Sequence, residues 1–190
     1  MPDTPKPPPA PKKKIYDGPT NFFGRVFEEH QDFSGLTFPE AMDFSGATFE
    51  QGSVFNGATF QRDAYFRGAK FELIVEFCGA RFGGDADFEH ATFDGNASFE
   101  RAKFASTPSF INAELKSRTR FDAATFAETP PDFAGAKLHE GTTWFGVTWP
   151  PAPKTIAAAE YAVSAYERLK LEMDRLKKHA DELDFFALEL

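Results

Sequence analysis

Phenylalanine recurs along most of this chain at gaps that alternate between five and six residues. The stretch FSGATFEQGSVFNGATF, residues 44–60, carries it at 44, 49, 55 and 60. This spacing fits neither the turn of a helix nor the alternating sides of a flat strand. The backbone must therefore turn about a quarter circle per unit and close a square coil every 22 residues. Such a chain is a solenoid.

The large residues at this spacing fall into four columns, each with a step of 22 residues. One extra residue at Thr129-Pro130-Pro131 lengthens one step of each column to 23. The unbroken run from Phe44 to Phe104 is the predicted structural core, and six members per column predict about six coils. The columns are Phe22, Phe44, Phe66, Phe88, Phe110, Phe133; Phe27, Phe49, Phe71, Phe93, Leu115, Leu138; Phe33, Phe55, Phe77, Phe99, Phe121, Trp144; and Phe38, Phe60, Phe82, Phe104, Phe126, Trp149.

Small residues flank the large ones in a regular way. Alanine stands two positions before the large residue in half of the 24 units, which suits a narrow interior filled by one ring per side. Glycine stands two positions after many of the rings, where a corner favours a residue without Cβ. These glycines are Gly35, Gly46, Gly57, Gly68 and Gly79.

The units DFSGATF, VFNGATF, YFRGAKF and DFEHATF resemble pentapeptide repeat proteins, in the variant centred on Phe with alternating spacing. The resemblance covers residues 21–150. It implies an all-β fold, a right-handed quadrilateral β-helix of about six coils. At the spacing of hydrogen-bonded strands, roughly 4.8 Å, the rod would be about 29 Å long.

The two ends of the chain differ from the repeats in composition. Residues 1–20 begin MPDTPKPPPAPKKK, and a Pro- and Lys-rich segment of this kind is predicted to be a disordered tail. Prolines at 150, 151 and 153 end the repeats, and residues 151–190 are predicted to be an amphipathic α-helical segment. Its apolar residues recur at helical spacing: Ala162, Tyr166, Leu169, Met173 and Leu176.

Two continuations of this helix fit the pattern. The apolar spacing can run on through Ala180 and Leu183 as a single long coiled-coil helix. The segment YERLKLEMDRLKKHADELDFFALEL also resembles a helical pair that follows the repeats in many family members, which favours an αα-hairpin. The helices would either cap the end of the solenoid or form a docking or homodimerising surface. Its candidate residues are Tyr166, Leu169, Met173, Leu176, Phe185 and Phe186.

The charge of the chain is acidic and patterned. The net charge is −8, and one outward column reads Glu28, Glu50, Glu72, Asp94 before it changes to Lys116 and His139. We call the first four residues the acidic ridge, a candidate partner-binding surface. A second acidic face carries Asp43, Asp87 and Asp132. Direct nucleic-acid binding is disfavoured, because it needs Lys and Arg to neutralise phosphates.

No arrangement of residues in the sequence suggests catalysis. The four histidines are scattered, and Cys-x-x-Cys, His-Glu-x-x-His and a glycine-rich phosphate loop are all missing. We therefore predict a protein that is not an enzyme, with no catalytic residues, no cofactor and no metal. Neither a signal peptide nor an apolar membrane span is visible, and the single Cys78 fits a reducing compartment, so we expect a cytoplasmic chain.

Two functional hypotheses follow from these patterns. The first is a scaffold that binds a protein partner and displays the C-terminal helices. It would be the soluble domain of a longer, membrane-associated protein, because the helical motif precedes further sequence, sometimes membrane-spanning, in the family members it resembles. The second is a DNA mimic that binds and inhibits a type II topoisomerase, DNA gyrase. It rests on the acidic ridge and on the resemblance to family members linked to quinolone resistance.

Overall fold

The computed structural model describes residues 14–175, with nineteen short β-strands followed by one α-helix in that range. The helix is α1, Ile156–Arg175. The strands are β1 Lys14–Ile15, β2 Val26–Phe27, β3 Gln31–Asp32, β4 Leu36–Phe38, β5 Met42–Asp43, β6 Thr48–Phe49, β7 Ser53–Val54, β8 Thr59–Phe60, β9 Ala64–Tyr65, β10 Lys70–Phe71, β11 Val75–Glu76, β12 Arg81–Phe82, β13 Ala86–Asp87, β14 Thr92–Phe93, β15 Ala97–Ser98, β16 Lys103–Phe104, β17 Glu114–Leu115, β18 Thr119–Arg120 and β19 Thr125–Phe126.

The strands stack into four parallel sheets, one for each side of a square coil. Their orders are β1-β4-β8-β12-β16-β19, β2-β6-β10-β14-β17, β3-β7-β11-β15-β18 and β5-β9-β13. Phe27 pairs with Phe49, and Phe49 pairs with Phe71, so the register is the one that the columns predict. After the Pro-Pro insertion the bridges join Ser109 to Asp132, a step of 23. The predicted solenoid is confirmed, and five turns separate the first and last members of a column.

The paired backbone begins earlier than the boundary expected at residue 21. Lys14 and Ile15 pair with Leu36 and Thr37, again one full coil further along the chain. Tyr16 lies one full coil before Phe38, at the start of the same column, and the two ring centroids are 4.9 Å apart. The sequence pattern missed this member because its ring is Tyr and because it follows a Lys- and Pro-rich run. Residues 1–13 of the expected tail lie outside the described residues.

Aromatic rings fill the interior of the coils. Phe77 stacks on Phe55 and Phe99 in its own column, with centroids 4.7 and 5.0 Å apart and nearly parallel planes. Between columns the rings meet edge to face, as Phe66 and Phe77 do at 82°. Both geometries are favourable for aromatic pairs. The twelve rings from Phe44 to Phe104 are at most 2% exposed, so the interior is a packed core.

Corners in the Phe22 and Phe33 columns use the left-handed backbone conformation, two residues after each ring. Eight of these corners are glycine, and the other four are His90, Arg101, Asn112 and Ala123 with φ between 55° and 57°. An L-residue with a Cβ is destabilised by about 1–2 kcal/mol in this conformation. The four exceptions are therefore strained.

Exchanging residues at these corners should change stability in opposite directions. Ala123→Gly is expected to raise the free energy of unfolding by about 0.5–1 kcal/mol, because relief of strain exceeds the entropy cost of glycine. Gly57→Ala should lower it by a similar amount. Its φ is +65°, and a Cβ there would meet no atom within 4 Å, so the penalty is conformational. Chemical denaturation measures both variants, and shifts of the same sign would contradict the assignment.

Helix α1 begins after the prolines that end the repeats. The Ala158 N–H donates to Thr155 Oγ1 at 3.2 Å, which makes Thr155 the N-cap. Ala162, Ala165 and Leu169 are buried at the spacing of one helix face. Within residues 14–175 no helix is both long and apolar enough to cross a membrane. The choice between a long helix and a hairpin lies outside the described residues, as do Leu176, Phe185, Phe186 and the side chain of Met173.

Candidate interaction surfaces

The structure brings the four residues of the acidic ridge to one face of the rod. Each follows a buried ring of the Phe27 column by one position, and those rings stack in register, so successive carboxylates project from successive coils. The ridge is not uniformly charged. Lys70 Nζ lies 2.7 Å from a Glu72 oxygen and 3.7 Å from an Asp94 oxygen. Glu28 and Glu50 form no ion pair with a residue that the structure describes.

The same face becomes more basic towards the C-terminal coils. Lys116 Nζ lies 3.0 Å from Asp94, and Lys137 Nζ lies 2.6 Å from Glu114. A hydrogen bond to Asp94 raises the pKa of Lys116, and a hydrogen bond from Lys137 lowers the pKa of Glu114. We call this surface the ridge face. It consists of Val26, Glu28, Thr48, Glu50, Lys70, Glu72, Thr92, Asp94, Glu114, Lys116, Lys137 and His139.

Sequence reasoning overlooked Lys70, the cation that contacts two of the four ridge carboxylates. A residue directly before a buried ring points outward, just as the residue directly after it does. Lys70 and Glu72 therefore flank Phe71 on the same side. The local sequence Lys-Phe-Glu indicates this pairing. It is found by comparing the residues directly before the rings with the residues directly after them.

The aspartates of the second acidic face accept hydrogen bonds from the backbone of the turns. Asp43 Oδ1 accepts a hydrogen bond from the Ser45 N–H at 2.9 Å. Asp87 and Asp132 accept in the same way from the N–H groups two residues on, each at 2.8 Å. A carboxylate that accepts from the backbone two residues later stabilises a turn. These aspartates therefore shape the corners of the coil, which explains the recurring Asp-Phe of the repeat.

Helix α1 covers the C-terminal end of the solenoid. Leu169 is 0% exposed and belongs to the same apolar cluster as the rings, and the Tyr166 ring contacts Trp149 edge to face at 5.8 Å. Arg168 Nη1 lies 3.2 Å from Asp132 Oδ1, and Arg175 Nη2 donates to the Leu138 carbonyl at 3.1 Å. The helix thus shields a sheet edge that would otherwise be a template for aggregation.

Two tyrosines of α1 should make this contact sensitive to alkali. Burial raises the pKa of both Tyr161 and Tyr166 from 10 to about 12. Below pH 10 the hydroxyls are neutral whether or not the chain is folded, and their contribution to stability is complete. Between pH 10 and about 12 the unfolded chain loses protons that the folded chain keeps, so stability should fall. Urea denaturation across this range should show that loss, and Tyr161→Phe with Tyr166→Phe should reduce it.

The described residues include no cluster of metal ligands. Within residues 14–175 no three His, Cys, Asp or Glu side chains lie close enough to hold a metal ion. A cleft of about 520 Å³ lies between the last coils and the end of α1. Five charged side chains of its walls are engaged in ion pairs within the chain: Glu114, Lys116, Lys137, Glu172 and Arg175.

Comparison with known proteins connects the repeat to a family. Residues 33–77 and 44–92 match the family model for pentapeptide repeats (9 copies). A pentapeptide repeat protein from the thylakoid lumen of Arabidopsis thaliana is 25% identical over 71% of this chain and 76% of its own, with a TM-score of 0.27. QnrB1, a plasmid-mediated fluoroquinolone resistance protein, is 19% identical over 86% and 93%, with a TM-score of 0.18. No curated protein matches the chain.

Both overlays have low TM-scores and add nothing to the fold described above. The matched family model and the regular register of stacked rings carry the assignment. Residues 33–92 are therefore pentapeptide repeats, and the same register of paired strands continues in the coils on either side of them.

Proposed function

We propose that this chain is a non-enzymatic scaffold whose rod holds partner-binding side chains at fixed spacing on its outer faces. The observation that carries the proposal is the filled interior, where the rings from Phe44 to Phe104 are at most 2% exposed and leave partner recognition to the outside of the coil. Side chains in one outward column repeat at about 4.8 Å, set by the strand spacing. A partner can therefore contact several coils at once along a flat face.

Site-specific photo-crosslinking in the native cell tests this proposal. A photoreactive residue would replace one outward residue per side of the coil: Glu50, Val54, Arg81 or Tyr65. We expect partner adducts from one face and few from the opposite one, because a scaffold presents a defined surface. Equal labelling from all four sides, or labelling equal to that of an unfolded variant, would reject the scaffold function.

We also propose that the rod is a domain attached to a membrane through further sequence. The support is the resemblance of residues 166–189 to a helical pair that, in members of the family, precedes further and in some cases membrane-spanning sequence. An immunoblot of fractionated cells decides this point. A larger band in the membrane fraction is the expected result, whereas a band near 21 kDa in the cytoplasmic fraction would overturn the attachment and support a free cytoplasmic scaffold.

Mimicry of DNA is a second candidate function, supported by Glu28 and Glu50, which project from adjacent coils without an ion pair to any described residue. Lys70 and Lys116 oppose it, because they neutralise the other half of the ridge. A gyrase supercoiling assay separates the two functions. A mimic should inhibit at tens of micromolar and lose inhibition in Glu28→Gln/Glu50→Gln but not in Glu89→Gln/Glu100→Gln. No inhibition, or equal loss in both, would reject mimicry.

A further inference from the structure

The ridge face has opposite charge at its two ends. Its first two coils present Glu28 and Glu50, which no described cation contacts. Its last two coils present Lys116 and Lys137, whose side chains are about half and three quarters exposed. Asp94 and Glu114 neutralise these lysines in part, but exposed ion pairs are weak and exchange readily. The charges of the ridge face are thus complementary to those of a second ridge face that runs in the opposite direction.

We propose that two copies of this chain associate through their ridge faces, with the rods antiparallel. The two-fold axis runs along the strand direction, between the third and fourth coils, and this operation places each outward column opposite itself in reverse order. The second coil then faces the fifth, and the first faces the sixth. Glu50 meets Lys116 of the second copy, and Glu28 meets His139 of the second copy, with Lys137 of that copy in the neighbouring column.

The middle of the face is compatible with this pairing. Glu72 faces Asp94 of the second copy, and these like charges would repel if they stood alone. Lys70 lies 2.7 Å from Glu72 and 3.7 Å from Asp94 within one chain, so it screens both carboxylates. Each copy still brings a net charge of −1 to the two-fold axis, one lysine against two carboxylates, so the attraction comes from the two charged ends.

The size of the face sets the strength of the association. Six coils at about 4.8 Å give a strip about 29 Å long and one coil side wide, well under the roughly 800 Å² per partner of a stable complex. The dimer is therefore weak and depends on salt. It goes beyond the scaffold function because it needs no other protein, and its basic end, at Lys116, Lys137 and His139, borders the end of α1 across the cleft.

Sedimentation velocity of the full chain, from about 10 to 500 μM, tests the proposal through a charge exchange. Glu50→Lys and Lys116→Glu should each weaken self-association about tenfold or more, because each reversal occurs twice in a symmetric dimer. The double variant should restore it to within about threefold. Glu50 and Lys116 lie three coils, or about 14 Å, apart in one chain, so this rescue cannot come from a contact within the chain.

Two controls complete the experiment. Lys103→Glu, an exposed change on the opposite side of the coil, should leave the dimer unchanged. Raising the ionic strength from about 0.05 to 0.5 M should weaken the parent dimer. A monomer at every concentration, single reversals without effect, or a double variant as weak as the singles would overturn the proposal. So would a dimer that ignores these changes but is lost in a variant of α1, which would assign association to the C-terminal helix.

Discussion

Replacing Phe77 by aspartate is expected to unfold the rod at room temperature. Phe77 is 0% exposed, stacks between Phe55 and Phe99, and meets Phe66 and Phe88 edge to face. Truncating a buried Phe costs about 3–5 kcal/mol, and burying a carboxylate without a partner adds to this. The sum is comparable to the whole stability of a typical domain, about 5–15 kcal/mol.

Circular dichroism with urea denaturation measures this effect against two controls. Phe77→Leu should cost only about 1–2 kcal/mol, because the Phe27 column already accepts Leu at 115 and 138. Arg81→Asp places the same carboxylate at an exposed outward position and should change stability by less than about 0.5 kcal/mol. If Phe77→Asp unfolded at the urea concentration of the parent, a packed interior column could not exist there.

Replacing Leu169 by aspartate is expected to detach α1 from the end of the rod while the middle coils stay folded. Leu169 is 0% exposed, and the loss of its packing should cost about 2–5 kcal/mol. The repeats contact mainly their neighbours, so the damage should be confined to the last coils. Exposure of the final sheet edge should then promote aggregation.

Tryptophan fluorescence reports this detachment selectively. Both tryptophans of the chain, Trp144 and Trp149, lie in the last coil, and Trp149 contacts Tyr166 of α1. Emission should shift to longer wavelength and acrylamide quenching should increase in Leu169→Asp. Leu171→Asp is the matched control, because Leu171 is 67% exposed on the same helix. Equal changes in both variants would mean that α1 does not shield the end.

Much of the fold could be predicted because one residue type marks every side of the coil. The Phe spacing predicted the period, the four columns and the longer step at the insertion, and the strand pairing agrees with each of them. Tyr16 was missed because only its position, one full coil before Phe38, identifies it. A periodic pattern is hard to recognise at its first member. Here Tyr replaces the usual Phe, although its ring packs in the same way.

Surface contacts were less predictable. The columns fix which residues lie on one face, but not which neighbour in the same or the next coil a long side chain contacts. Lys70 reaches both Glu72 in its own coil and Asp94 in the next. Arg168 pairs with Asp132, far back along the chain, and this contact depends on how α1 crosses the last coil. The helical spacing of Tyr166 and Leu169 predicted a buried face, but not which ring or edge that face would cover.

Deleting one whole coil tests the central claim, the regular register of the stacked coils, most directly. Removal of residues 56–77 joins Phe55 to Cys78 and brings Phe82 to the position that Phe60 held, so every column continues. Removal of residues 56–74, a slightly shorter segment, puts the rings out of phase. We predict that the first variant unfolds cooperatively at a somewhat lower temperature than the parent, while the second does not fold. If the two deletions were equally damaging, or equally tolerated, stacked coils of this period could not be the structure of this protein.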